Sequence, residues 1–115
     1  MKVSFEEIGQ VLVTCQAGDG VAVGGVVKMN GNGTVAPCAA GERFCGVAVG
    51  LEEDGCAAVQ VKGFVTVPCA DSTVAPGWAA LTADGTQGVK TAGSGDKGGE
   101  VLVVSVENGS AVVCL

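Results

Sequence analysis

Three observations in the sequence predict an all-β domain, a compact barrel or sandwich. Short valine-rich runs alternate with glycine, asparagine and aspartate clusters, and no stretch keeps a helical period for three turns. Glycine supplies 20 of the 115 residues and aromatics only 3%, so valine and alanine must build a fine-grained core suited to strands. The chain also resembles itself at a spacing of about 54 residues, which predicts two pseudo-symmetric tandem repeats, 9–62 and 63–115, preceded by an arm at 1–8.

The repeat aligns Val11, Val13 and Cys15 with Val65, Val67 and Cys69. After small loop adjustments it aligns Gly33-Thr34 with Gly85-Thr86, and Val47, Val49, Glu53 and Gly55 with Val101, Val103, Glu107 and Gly109.

The predicted elements follow in order. Met1 to Ile8, with Phe5 beside Glu6 and Glu7, reads as an arm or first edge strand. Val11 to Cys15 reads as a strand ending at a Gly18-Asp19-Gly20 turn, and Val21 to Met29 as an extended segment broken at Gly24-Gly25. Asn30-Gly31-Asn32-Gly33 is the strongest hairpin signal, because asparagine and glycine tolerate the positive φ of tight turns. Phe44 to Leu51 and Cys56 to Val67 form a predicted hairpin across Glu52-Glu53-Asp54-Gly55. Its second strand alternates Val59, Val61, Val65 and Val67 with Gln60, Lys62, Phe64 and Thr66, and is expected to run through Gly63 and join the two halves. Val74 to Trp78 reads as a loop, and Thr91 to Gly99 as the most flexible loop. Glu100 to Val106 and Ser110 to Leu115 form the closing hairpin across Glu107-Asn108-Gly109.

The two copies differ on one face. Opposite Val47 and Val49 the first carries Ala48, Gly50 and Glu52, and the second carries Leu102, Val104 and Val106. The first copy is therefore expected to keep a solvated face and the second a covered one, either buried internally or pressed against another subunit. Leu102, Val104 and Val106 are the candidate oligomer interface. Phe5 and Trp78 are the candidate partner contacts, since aromatics anchor interfaces, although a tryptophan after a Pro-Gly turn also serves as a core plug.

Chemistry is sparsely represented. The chain has no histidine and no tyrosine, and the Glu52-Glu53-Asp54 run falls in a turn where carboxylates are ordinarily solvated. Gly18-Asp19-Gly20 and Gly31-Asn32-Gly33 open no helix, as a phosphate cradle would require. Cys15, Cys38, Cys45, Cys56, Cys69 and Cys114 show none of the close steps of a zinc site and no secretory context, so free, packed thiols are expected. Lys28-Met29 is similar to the modified site of biotin or lipoyl carriers, but that lysine occupies a hairpin tip and Lys28 precedes one. No catalytic residue, metal ligand or cofactor is assigned, and no enzyme is expected.

Twelve acidic and six basic residues give a net charge of −6 with the cations scattered, which argues against nucleic acid as a partner and favours solubility. The N-terminus has no signal-peptide zones and no apolar run of membrane-spanning length occurs, so a cytoplasmic, membrane-free protein is expected.

Gly46-Val47-Ala48 before an acidic turn, Val59-Gln60-Val61-Lys62-Gly63-Phe64-Val65, Gly77-Trp78-Ala79-Ala80-Leu81 and the closing valine-rich hairpin together resemble the capsid decoration, or head-stabilisation, proteins of tailed phages and prophages. The resemblance covers most of Val21 to Leu115. It implies a small, often trimeric β-barrel protein that cements the major capsid protein from outside the expanded shell, made in the host bacterial cytoplasm and ending on the virion surface. An N-terminal arm that orders on the shell would correspond to Met1 to Ile8. The competing expectation is a bacterial β module that binds a carbohydrate, peptide or protein without catalysis; a sugar site would call for more exposed aromatics than Phe5, Phe44, Phe64 and Trp78 supply.

Overall fold

The computed structural model describes residues 9–115 and is all-β. The predicted arm at 1–8, Phe5 included, lies outside the described residues. The strands are β1 (Val11–Ala17), β2 (Val26–Gly31), β3 (Thr34–Pro37), β4 (Gly46–Leu51), β5 (Cys56–Lys62), β6 (Phe64–Pro68), β7 (Gly77–Ala83), β8 (Val89–Thr91), β9 (Gly99–Glu107) and β10 (Ser110–Cys114). Among these described residues no helix is long and apolar enough to cross a membrane.

The first five strands close a barrel in the order β1-β3-β2-β4-β5, and the last five form a sheet in the order β6-β10-β9-β7-β8. Read round the barrel from β1 through β5, the two orders are the same element for element. A short parallel contact, Gln16 with Thr34 and Ala17 with Val35, closes the first set; the second set stays open between β6 and β8.

Ladder partners fix which positions correspond, and they revise the sequence alignment. Val13 faces Val59 as Val65 faces Val113, and Cys15 faces Ala57 as Val67 faces Ala111. Cys15 is therefore equivalent to Val67, not to Cys69. A bulge places Val49 between Ala48 and Gly50 on β4, and Val104 between Val103 and Ser105 on β9. Val47 then corresponds to Leu102, Ala48 to Val103, and Leu51 to Val106. An extra residue flips the side chains beyond it to the other face, so Leu102, Val104 and Val106 do not share one. Val106 packs inward against the core, while Leu102 points away from it with Cys114.

Two cores result. Inside the barrel Cys15, Val27, Val35, Ala48, Ala57 and Val59 pack together. The second core lies between the outside of the barrel and the concave face of the sheet, where Val26 and Val47 meet Val67, Leu81, Val103 and Val113. Phe44 and Cys38, from the loop between β3 and β4, complete it. The expected asymmetry differs: the start of β4, Gly46 to Ala48, is buried on both sides with Ala48 inside the barrel, while Leu102, Val104 and Val106 of the second half are each half-buried.

The join between the halves also differs from expectation. A continuous strand through Gly63 does not form, because Gly63 adopts φ +95° and ends β5. A Cβ there would come within 2.6 Å of the Gly9 carbonyl oxygen, so only glycine permits the chain to cross from barrel to sheet. Gln60, 2% exposed, spans the crossing: its Nε2 donates to the carbonyls of Lys62 and Phe64 at 3.1 and 2.9 Å, and its Oε1 accepts from Gln10 at 3.0 Å.

Candidate interaction face

The convex face of the sheet is the part of the molecule built from residues the sequence nominated separately. Alternation along β7 and β9 puts Val103 into the core, so Trp78 and Leu102 point outward, where they are direct cross-strand partners. Leu102 in turn faces Cys114, and Cys114 faces Phe64, giving one row across four strands: Phe64, Cys114, Leu102 and Trp78. Side chains directly opposite in an antiparallel pair sit about 5 Å apart, so this row is one continuous strip. Trp78 is 73% exposed, which rules out the core-plug role and places it in a strand rather than at the end of a loop.

The two halves compare directly at these positions. Val26 and Val47 are partners on β2 and β4, as Trp78 and Leu102 are on β7 and β9. Val26 and Val47 are 2% and 0% exposed because the sheet covers them. The matching surface of the second half carries the larger pair and nothing among the described residues covers it to that extent. An indole left in water forgoes a large hydrophobic gain, so its exposure marks a contact surface more than a packing position. Its visibility in the sequence was partial: Trp78 and Leu102 stood out singly, but their pairing required the strand order.

The other nominated groups disperse. Glu52, Glu53 and Asp54 sit exposed in the β4–β5 turn, where Asp54 accepts the Cys56 amide at 3.0 Å. Lys28 lies within β2 and is held by Glu42 at 2.7 Å, a contact that keeps the Glu42 carboxyl below the usual range; this is no carrier-domain hairpin tip. The six cysteines are free: Cys15, Cys38 and Cys69 are buried, Cys56 and Cys114 half-buried, and Cys45 at the surface, contrary to its expected burial. Burial first, then the nearby Glu42 carboxylate, push the Cys38 thiol up to about 11; partial desolvation of the sulfur raises Cys45 and Cys56, although Cys45 is exposed as a residue, and burial raises Cys69. Thiols shifted this way stay protonated at neutral pH and are poor nucleophiles and poor metal ligands. Among the described residues no three acidic or cysteine side chains are grouped as a metal site.

The loop expected to be flexible is pinned. The Lys97 amide donates to the Gly41 carbonyl at 2.9 Å, the Gly93 amide to Asp96 at 2.9 Å, and Lys90 meets Asp96 at 3.7 Å. Beneath it the buried Thr82 hydroxyl reaches the carbonyls of Lys97 and Glu42 at 2.7 and 3.0 Å, locking the 92–98 and 38–45 loops to β7. In comparison with known proteins, no protein family, no curated protein and no solved structure matches this chain.

Proposed function

We propose that this chain is a non-enzymatic structural protein that adds to the outside of a phage shell and stabilises it, seating the convex sheet face on the major capsid protein. The observation that carries the proposal is the exposed Trp78 beside its half-buried cross-strand partner Leu102, a pair whose counterpart in the first half, Val26–Val47, is an interface within the same molecule. The resemblance of Gly46-Val47-Ala48, the Val59 to Val65 run and Gly77 to Leu81 to decoration proteins supplies the kind of partner. A protein present in many copies on a shell needs each contact only to be modest, since valency multiplies it, and a net charge of −6 keeps the free protein dispersed before it binds.

Cosedimentation with expanded capsids of the cognate phage tests the reading. The native chain is expected in the capsid pellet, and Trp78→Ala in the supernatant with an unchanged melting temperature. A native chain that stays in the supernatant, or a Trp78→Ala variant that pellets equally well, overturns it.

A further inference from the structure

Four of the six cations in the chain converge on one cleft. Lys28, Arg43, Lys62 and Lys97 line a cavity of about 730 Å³ between the 38–45 loop, the end of β5 and the start of β9, on the opposite side of the barrel strands from the acidic turn. Among the lining side chains Glu42 and Glu100 are the acidic ones, so the lining side chains sum to +2 in a chain of net −6. Glu42 is spent on Lys28, whereas Arg43, Lys62 and Lys97 form no ion pair among the described residues. The cleft is also shaped. Gly99 leaves room for the Arg43 guanidinium, whose Nε would lie 3.0 Å from any Cβ there, and the Thr82 hydroxyl fixes the two loops that form the walls. Its floor is apolar, with Phe44, Val61, Val101 and Leu115.

The surface that complements it is on the same chain. The β4–β5 turn presents Glu52, Glu53 and Asp54, the densest run of like charge in the described residues, next to an exposed Leu51. Glu52 and Glu53 have no ion-pair partner among the described residues, and the turn is held in shape by its own backbone, Glu52 amide to Cys56 carbonyl at 2.8 Å and Gly55 amide to Glu52 carbonyl at 3.1 Å. An apolar side chain followed by carboxylates is what a cationic cleft with an apolar floor accepts. The turn cannot reach the cleft of its own molecule: β4 starts at Gly46, next to Cys45 of the cleft, and runs six residues away from it, roughly 20 Å at about 3.3 Å per residue.

We infer that the cleft is the docking site for the Leu51 to Asp54 turn of a second copy of this chain. The contact is head-to-tail, because one copy offers the turn and its neighbour the cleft. Such a contact leaves one turn and one cleft unused in every pair, so it propagates to a ring or an open chain. Neither Trp78 nor Leu102 lines the cleft, so the inference stands whether or not their face binds a shell.

Sedimentation velocity over a range of concentrations decides it. At about 10 mM salt, where charges act over roughly 30 Å, the native chain is expected to at least double its mass as concentration rises; at 1 M salt, where that range falls to about 3 Å, it is expected to return to monomer. K62E/K97E and E52K/E53K are each expected to remain monomeric alone. Mixed, they are expected to associate again, because the native turn of one meets the native cleft of the other and the reversed turn is likewise opposite in charge to the reversed cleft. D19K/E107K, with the same net charge as E52K/E53K, is expected to associate like the native chain, and so is Trp78→Ala. A native chain that is monomeric throughout, association that survives 1 M salt or either charge reversal alone, or a mixture that stays monomeric overturns the inference.

Discussion

At the scale of single residues, the side chains that matter most for stability are polar ones with every bond made. Gln60 satisfies two carbonyls and one side-chain amide at the crossing between barrel and sheet, and no buried polar side-chain atom among the described residues lacks a partner. Gln60→Leu keeps the volume but orphans those groups, and urea unfolding is expected to show a loss of about 1–3 kcal/mol. Asp71 is the acid-sensitive residue. Hydrogen bonds from the Thr73 hydroxyl, the Thr91 amide and the Thr73 amide hold its carboxyl at about 2, against 3.8 when free. A depressed carboxyl contributes its stability above the free value and loses it as pH falls toward the folded one. Acid titration followed by circular dichroism should therefore show a stability loss between pH 4 and 2 that is smaller in Asp71→Asn. Cys38, pushed up to about 11, is expected to resist a thiol reagent at pH 7.5 until the chain is unfolded; rapid labelling in the native state would contradict its assigned burial.

At the scale of elements, turns were legible and strand breaks were not. Asn108 and Gly109 adopt φ of 52° and 79°, the doubly positive turn that an Asn-Gly pair favours, and the hairpin β9–β10 forms where the sequence placed it. Asn108→Val puts a β-branched residue into that left-handed position and is expected to lower stability by about 1–2 kcal/mol, while Asn108→Gly leaves it nearly unchanged. The alternation of Val59, Val61, Val65 and Val67 gave no hint of the break at Gly63, because a glycine inside an alternating run fits both a strand and a corner. What settles it is the approach of Gly9, distant in sequence, to within a side chain's width. The bulges at Val49 and Val104 were hidden for the same reason: a valine carries no mark that its partner strand lacks a residue. Val106 was assigned to the wrong face on that account alone.

At the scale of the whole molecule, Val26 and Val47 on the outside of the barrel hold the sheet, whereas the matching pair on the sheet, Trp78 and Leu102, faces away from the core. Val47 and Leu102 occupy corresponding positions, the first fully buried and the second half-buried, and a carboxylate at each separates packing from interaction. Val47→Asp buries an unpaired charge between barrel and sheet and is expected to cost at least about 3 kcal/mol, a large fraction of the roughly 5–15 kcal/mol by which domains are stable, read as a lower urea midpoint. Leu102→Asp meets solvent and is expected to shift the melting temperature by only a few degrees while weakening whatever contact the Trp78 strip makes.

The sequence by itself determined the all-β class and the positions of the tight turns, because strand alternation and positive-φ turns are local properties carried by neighbouring residues. It also singled out Trp78 and Leu102, since large apolar residues are few in a chain this rich in glycine and valine. Only the tertiary structure decided that the first five strands close and the last five do not, that Trp78 and Leu102 are partners, and that four scattered cations line one cleft. Those outcomes depend on register and on contacts between residues far apart in the chain, where a single inserted residue or one close backbone approach reverses a face and leaves no local trace.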